Sequence, residues 1–355
     1  MTRLSHPMLF ALAVAVLAGP VRAESPSIGF QKLSLPATEQ HRALEVAVWY
    51  PAEAAGETTL VGDYRVFSGA AVRIDAPPQP GRHRLVVLSH GYGGNWTNQQ
   101  WLAADLAAEG YLVAAPNHPG STSRDMAPPG GTMLWKRPGD ISRVIDWLNG
   151  DSRWSALVVP GRAAVVGHSL GGWTAVALAG ARFDPSRHEA ACAAHPLMAA
   201  CRPGIGGSDE DGTARRPWVT TPMADERIEA FVTLDLGLAQ GFDPASLSGI
   251  DKPFLVIGAG PGDRKMPVEL ESRYLAGLLP GDRTLYVEIA DASHFSFLSI
   301  CKAGAIPLLE AAQPGDGMIC RDRGGHDQDG RNREVIHRQV SDLVVSFLNS
   351  AMPLR

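Results

Sequence analysis

The sequence has no long basic run and only four cysteines, and these shortages exclude several classes of protein. Its 355 residues carry 32 lysines and arginines against 37 aspartates and glutamates, a formal net charge of −5. Nucleic-acid binding is not supported, because recognition of phosphates needs clustered positive charge. No stretch beyond the N-terminal region reaches the roughly 20 apolar residues of a membrane-spanning helix. No cysteine stands in the C-x-x-C spacing of a zinc or redox site, so we also expect no metal site.

The N-terminus has the pattern of an export signal. Arg3 precedes an apolar run at 8–17, and small residues occupy the −3 and −1 positions before a cleavage point after Ala23. The run is too short to span a bilayer. The pattern predicts a signal peptide at 1–23, a single mature domain at 24–355, and a periplasmic or secreted protein.

The cysteines fit an oxidising compartment, in which disulfides persist. Cys192 and Cys201 bracket one stretch rich in turn formers, and Cys301 and Cys320 bracket another. We therefore predict the two local pairs, although four cysteines allow three connectivities. The pairs fall in two long insertions, at about 182–226 and 298–332, which we expect to border a binding pocket because long loops in a compact domain are usually functional.

Strand-like and helix-like segments alternate along the chain and predict an α/β fold. The strands are expected at 28–35, 43–50, 84–89, 111–115, 163–166, 228–234, 253–257 and 284–289, and the helices at 96–109, 138–148, 170–181, 267–279 and 335–348. Such alternation implies a mostly parallel central sheet with helices on both faces. The first two strands are expected to form an antiparallel pair, and 52–80 reads as a loop.

One strand-to-helix junction carries the pattern Gly-His-Ser-Leu-Gly at 167–171. A G-x-S-x-G turn between a strand and a helix thrusts its serine outward, and the flanking glycines let the two elements pass closely. This context predicts that Ser169 is a nucleophile. The alternative is a glycine-rich turn whose serine only caps the helix.

A serine hydroxyl needs a base to take its proton and an acid to orient that base. In this fold the acid and then the histidine follow the serine along the chain, on loops beyond strand ends. His294, just past the last strand, is the predicted base. Asp263, in the turn after the strand at 253–257, is the leading acid. Asp235, which ends the preceding strand, is the alternative, and Asp291 is a third candidate.

Two backbone N–H groups are needed to hold the oxyanion of a tetrahedral intermediate. One is expected from Leu170, which follows the nucleophile. The other is expected from Tyr92, in the loop after the strand at 84–89, where neighbouring glycines let the backbone approach a substrate. A plain glycine-rich turn is the alternative interpretation of that loop.

These motifs together resemble the α/β-hydrolase superfamily. The matching segments are Ser-His-Gly-Tyr-Gly-Gly at 89–94, Gly-His-Ser-Leu-Gly-Gly at 167–172, Asp-x-x-x-Pro at 263–267 and Ser-His-Phe at 293–295. More narrowly, the chain resembles the bacterial predicted dienelactone hydrolase group, which is related to platelet-activating-factor acetylhydrolases and cutinase-like polyester hydrolases. True dienelactone hydrolases use a cysteine nucleophile where this chain has Ser169. In the acetylhydrolases the acid follows the earlier strand, where Asp235 lies.

The residues and the resemblance predict an exported serine hydrolase that cleaves carboxylic esters through an acyl-enzyme, without a cofactor. The expected partner is a small-molecule or lipid-like ester. An amidase or peptidase with the same triad is an alternative, since fold and triad do not decide the leaving group. A non-catalytic binding protein of the same fold is another. The sequence does not specify acyl length or oligomeric state.

Overall fold

The structure is a computed structural model that describes residues 26–126, 134–201, 223–322 and 332–353. The predicted export signal therefore lies outside the described residues, as do parts of both insertions. Ten strands are present in the described ranges: β1 (Ile28–Leu35), β2 (Leu44–Pro51), β3 (Thr59–Val61), β4 (Ala70–Ile74), β5 (His83–Ser89), β6 (Leu112–Pro116), β7 (Val158–His168), β8 (Ile228–Leu234), β9 (Phe254–Ala259) and β10 (Thr284–Ile289).

The α-helices of the described residues follow in chain order. They are α1 (Gln100–Ala108), α2 (Lys136–Gly150), α3 (Leu170–Leu178), α4 (Pro185–Ala194), α5 (Pro244–Ser248), α6 (Ser272–Leu278), α7 (Ala305–Ala312) and α8 (Arg333–Ala351). The predicted helix at 267–279 begins later than expected, at Ser272. The predicted helix at 96–109 opens with a 3₁₀ turn, Trp96–Gln99, before α1.

The strands form one sheet in the order β10-β9-β8-β7-β5-β6-β2-β1-β4-β3. Strands β5 to β10 run parallel to their neighbours within that group. β2 joins the group antiparallel to β6. It also pairs antiparallel with β1, and this second pairing is the one that the sequence predicts. β3 and β4 were not expected, because the segment 52–80 has no clear strand period and β3 has only three residues. The predicted α/β class is confirmed.

Both faces of the sheet are buried, which explains why the central strands are continuously apolar. In β5, Leu85 and Val87 face one core, which includes side chains of α2 and α3. Val86 and Leu88 face the opposite core, which includes side chains of α1 and α8. The carboxyl ends of these strands are consequently held firmly, and loops that leave them can place side chains accurately.

The two insertions add short helices, α4 and α7, and each carries a disulfide. Cys192 is bonded to Cys201, and Cys301 to Cys320, the same pairs that the sequence predicts. Within the described ranges, no helix has both the length and the apolar character needed to cross a bilayer.

Candidate active site

Ser169 lies at the sharp junction between β7 and α3. Its backbone adopts φ 54° and ψ −119°, a strained conformation for a residue with a side chain, and one that clusters at functional sites. The strand and helix pass so closely that a Cβ on Gly167 would lie 2.0 Å from the carbonyl oxygen of Gly171. Glycine is therefore required at 167, and the local sequence explains why the serine side chain projects from the turn.

His294 lies between Ser169 and a carboxylate. It opens the short 3₁₀ turn His294–Phe297 that follows β10. Its Nε2 is 3.1 Å from Ser169 Oγ, so the neutral ring can accept the hydroxyl proton. Its Nδ1 donates to Asp235 Oδ2 at 2.6 Å. The histidine is 7% exposed and the aspartate 2%, so water competes little for these bonds.

The carboxylate that contacts His294 belongs to Asp235. The sequence favoured Asp263 for this position, and the structure contradicts that prediction. Asp263 turns its carboxylate back on its own loop, where Oδ1 accepts from the N–H groups of Lys265 at 2.8 Å and Met266 at 3.3 Å. This local side-chain-to-backbone pattern is the ordinary behaviour of an aspartate in a turn. Because Nδ1 of His294 already donates to Asp235, it is not available to Asp263.

The surroundings of Asp235 explain why it reaches the histidine. It directly follows β8, the neighbour of the strand β7 that leads into Ser169, and has a positive φ of 45°. Its N–H donates to the carbonyl of Ile257 at 2.7 Å, and its Oδ1 accepts from the N–H of Ala259 at 2.8 Å. These two hydrogen bonds, one from its N–H and one to its Oδ1, tie Asp235 to the backbone of β9 and leave Oδ2 directed at His294.

His168 supports the site in a way that the sequence interpretation did not identify. Its Nε2–H donates to the carbonyl oxygen of His294 at 3.0 Å. Burial, together with the neighbouring His294, lowers the pKa of His168 well below its usual value, so the ring is neutral. The residue type before the serine of G-x-S-x-G carries no signal for this contact, since the contact depends on a loop more than a hundred residues away.

The predicted oxyanion donors, Tyr92 and Leu170, both border the space in front of Ser169. Leu170 is the first residue of α3, where helical N–H groups have no partner within the helix. Within the described parts of the chain, no backbone carbonyl accepts from the N–H of either residue. A Cβ on Gly91 would lie 3.1 Å from the Cβ of Ser169, so the loop that carries Tyr92 runs directly beside Ser169.

Two cavities meet at Ser169. The smaller, of about 160 Å³, is mainly apolar and is lined by Ala199, Ala200, Leu238, Met266 and Met318, with Asp263 and Lys265 also in its wall. The larger, of about 430 Å³, is also lined mainly by apolar surface, and its wall includes the aromatic rings of Tyr64 and Phe67 and the polar side chains of Asn95 and Arg124. Ser169 and His294 border both. A substrate attacked at Ser169 can therefore extend in two directions.

Both disulfide-bearing insertions border this cleft, as the sequence analysis expects. Ala199 and Ala200 immediately precede Cys201 and line the smaller cavity. Met318 lines the same cavity, and Ile319 lines the larger one, directly before Cys320. The N–H of Ala199 also donates to the carbonyl of Lys265 at 2.7 Å, which ties the first insertion to the loop after β9.

Glu271 is a buried carboxyl group next to the loop that follows Asp235. It is 1% exposed, and its Oε2 accepts from the N–H of Ala239 at 2.7 Å. Its Oε1 has no hydrogen-bond partner among the described residues. Burial raises the pKa of Glu271 to about 8, and the negative charge of Asp235 adds to the shift. The group is therefore largely protonated at neutral pH.

Glu271→Gln is expected to flatten the dependence of stability on pH. In the unfolded chain a glutamate ionises near 4.5 and in the folded chain near 8, so the folded state keeps a proton that the unfolded state loses. The free energy of unfolding therefore falls as pH rises from about 4.5 to 8, by an amount on the order of a few kcal/mol. Glutamine keeps a side-chain oxygen that accepts from the N–H of Ala239, but it does not ionise. The pH-dependent part of the free energy of unfolding is therefore lost.

Denaturant unfolding at pH 5, 7 and 9 gives the free energy of unfolding of wild type and of Glu271→Gln. The quantity compared is the slope of that free energy against pH, because a pH-independent cost of burying the amide shifts the whole curve without changing its slope. Glu269→Gln, an exposed carboxylate on the same segment, controls for the loss of one charge. Parallel curves for wild type and Glu271→Gln would rule out a buried, protonated Glu271.

The arrangement around Ser169 has the chemical parts of acyl transfer: a hydroxyl nucleophile, a base in contact with it, a carboxylate that orients the base, and two candidate N–H donors. Among the described residues, no three His, Cys, Asp or Glu side chains are grouped so that they could hold a metal ion.

Comparison with known proteins identifies the family and the fold. The family model described as "Alpha/beta hydrolase family" matches residues 86–300, more than half of the chain. A solved structure, a ferulic acid esterase from Streptomyces cinnamoneus, superposes with a TM-score of 0.60 over 94% of this chain and 92% of that chain, at 20% identity. At this identity the likeness concerns the fold.

A curated protein from Cupriavidus necator is also similar in part. It is the dihydrolipoyllysine-residue acetyltransferase component of the acetoin cleaving system, and it is 32% identical over 133 residues. The match covers 36% of this chain and 31% of the relative, so the chain spans about a third of that protein's length. The activity named for the whole relative therefore does not transfer to this chain.

Proposed function

The chain belongs to the alpha/beta hydrolase family, and from that membership we propose that it is a serine hydrolase of carboxylic esters. The observation that carries the proposal is a series of contacts that joins three side chains. Ser169 Oγ lies 3.1 Å from His294 Nε2, and His294 Nδ1 lies 2.6 Å from Asp235 Oδ2. Asp235 replaces Asp263 as the acid in this proposal.

The reaction follows from these contacts. Ser169 Oγ attacks the ester carbonyl while His294 takes the proton of the serine hydroxyl. The carboxylate of Asp235 stabilises the imidazolium that forms. The N–H groups of Tyr92 and Leu170 hold the oxyanion. His294 then gives the proton to the departing alcohol oxygen, which leaves an acyl group on Ser169. A water molecule, deprotonated by the same histidine, releases the acid and restores the serine.

The two cavities support an ester with a substantial group on each side of the carbonyl. The apolar lining of the smaller cavity suits a short aliphatic chain. The larger cavity, with Tyr64 and Phe67 in its wall, suits an aromatic group. The fold neighbour is named a ferulic acid esterase, and we therefore include a feruloyl ester among the substrates to test.

We also propose a place for the chain within its superfamily. The resemblance to the predicted dienelactone hydrolase and platelet-activating-factor acetylhydrolase-like group is supported by the position of Asp235, because in the acetylhydrolases the acid follows the corresponding strand. Ser169 in place of a cysteine argues against dienelactone itself as the substrate.

Export completes the proposal. The signal pattern at 1–23 and the two disulfides both favour a periplasmic or secreted protein with one hydrolase domain at 24–355.

The deciding experiment treats the mature protein with a fluorophosphonate and maps the adduct by mass spectrometry. The same measurement reads the N-terminus, which is expected at Glu24. p-Nitrophenyl esters from C2 to C16, methyl ferulate and matched anilides are assayed in parallel, with Ser169→Ala as the unlabelled control. We expect one adduct, on Ser169, and turnover of esters.

The outcomes separate the alternatives. Faster turnover of anilides than of esters would make the protein an amidase. A folded protein with intact disulfides that neither reacts with the probe nor hydrolyses any ester would contradict the enzyme proposal and leave a binding protein of this fold.

A further inference from the structure

Arg137, on α2, is a buried cation beside the candidate active site. The proposed mechanism gives this residue no role. It is 1% exposed. Burial lowers its pKa to about 9, and the carboxylate of Asp140 on the same helix favours the charged form. A guanidinium in such a place must have its donors satisfied, because an unpaired buried charge is strongly destabilising. Its partners therefore show what it organises.

On one side, Arg137 holds the loop that carries Tyr92. Its Nη2 donates to the carbonyl oxygen of His90, two residues before Tyr92. Its Nη1 donates to Ser121 Oγ at 2.7 Å, and the carbonyl of Ser121 accepts from the N–H of Gly93 at 3.0 Å. The loop is thus bonded on both sides of Tyr92, two residues before it and one residue after it.

On the other side, Arg137 holds the first turn of α3. Its Nε donates to Thr174 Oγ1 at 3.1 Å. The hydroxyl of Thr174 in turn donates to the carbonyl oxygen of Leu170 at 3.2 Å. Thr174 is fully buried, so solvent does not compete for its hydrogen bonds. One guanidinium therefore bridges the two segments that bear the candidate oxyanion donors.

A second layer of buried groups surrounds this bridge. Ser89 Oγ lies 3.4 Å from Arg137 Nη2 and 3.0 Å from His118 Nε2. His118 Nδ1 donates to Asp140 Oδ2 at 2.8 Å, and Arg42 Nε donates to Asp140 Oδ1 at 3.1 Å. This Ser-His-Asp series is buried throughout, which excludes a substrate from it.

We propose that Arg137 is a positioning residue that sets the separation of the Tyr92 and Leu170 N–H groups in the oxyanion hole. The proposal rests on the function proposed above. Oxyanion donors act because they are held in place before the charge develops, so a small displacement of either reduces the rate. The planar fork of arginine can bond both segments at once, whereas the single ammonium of lysine cannot reproduce that geometry.

The test compares Arg137→Lys and Thr174→Val with wild type on p-nitrophenyl acetate and on its thiono analogue, in which sulfur replaces the carbonyl oxygen. Sulfur is a weak hydrogen-bond acceptor, so the ratio of kcat/KM for the two substrates reports on the oxyanion donors. A loss of folded protein alone lowers both rates equally and leaves the ratio unchanged. Arg143→Lys is the matched control, because Arg143 lies on the same helix and donates to the carbonyls of Arg42 and Pro36.

We expect Arg137→Lys to lower kcat for the oxygen ester by about 10² with KM within about twofold, and Thr174→Val to lower it by roughly tenfold. In both variants the oxygen-to-sulfur ratio falls, and in Arg143→Lys it stays at the wild-type value. If Arg137→Lys does not fold, Thr174→Val, which keeps the arginine, decides. A wild-type ratio in folded Thr174→Val would overturn the positioning role. No turnover by wild type would instead overturn the proposed function.

Discussion

Asparagine in place of Asp235 is expected to lower kcat for ester hydrolysis by about 10⁴-fold. The carboxylate accepts a hydrogen bond from His294 Nδ1 at 2.6 Å and so keeps Nε2 free to accept the serine proton. An amide group at the same place presents N–H to Nδ1 and favours the opposite tautomer, in which Nε2 carries the proton and cannot act as a base. Steady-state kinetics on a p-nitrophenyl ester measures the effect, with KM expected to change little.

Asp263→Asn is the matched control, because it makes the same chemical change at an aspartate that lines the smaller cavity beside Ser169. Among the described residues, Asp263 bonds only the N–H groups of its own loop, and an asparagine oxygen accepts those bonds equally well. Activity within a few-fold of wild type is expected. The reverse pattern, an inactive Asp263→Asn and an active Asp235→Asn, would assign the acid to Asp263.

Gly171→Ala is expected to destabilise the protein by roughly 4 kcal/mol or more, or to prevent folding. A Cβ at this position would lie 1.8 Å from the carbonyl oxygen of Ser89 and 3.1 Å from that of His90. Both obstacles are backbone atoms, so no side-chain rotation relieves the overlap and α3 must move away from β5. Denaturant unfolding measures the stability, and soluble yield reports a complete failure to fold.

Gly277→Ala provides the comparison at a helical glycine without this crowding. Among the described residues, no atom outside the local helix backbone would lie within 4 Å of a Cβ at Gly277, which is part of α6. Alanine there is expected to stabilise the protein by about 0.5–1 kcal/mol, because it restricts the unfolded chain and favours helix. If Gly171→Ala unfolded at the same denaturant midpoint as wild type, α3 could move away from β5 at no cost, and the close packing at Gly171 would not contribute to stability.

The strand-to-helix junction at Ser169 was predictable because its signals are local. Gly-His-Ser-Leu-Gly lies within five consecutive residues, and the apolar run before it and the alanine-rich helix after it are both visible in the sequence. The burial of both sheet faces explains why the central strands could be predicted from continuous apolar runs. β3 and β4 were missed, since their pairing with each other and with β1 is made by tertiary contacts.

The acid illustrates a different limit. Asp235 and Asp263 both follow strands, in neighbouring positions of the sheet, and either could in principle approach a histidine loop. What separates them is the direction of each carboxylate. The positive φ of Asp235 and its bonds to β9 direct one oxygen at His294, whereas Asp263 is turned toward Lys265. Neither direction is encoded in the residue type or in its spacing from a strand.

The sequence by itself determined the α/β class, the local cysteine pairs and the identity of the serine and histidine candidates, because periodicity, turn chemistry and short-range motifs are properties of neighbouring residues. Only the tertiary structure decided which aspartate contacts His294, that His168 supports the same loop, and that Arg137 joins the two segments bearing the candidate oxyanion donors. Those contacts link residues far apart in the chain, and their geometry depends on backbone angles and burial that arise only when the sheet and its helices are packed together.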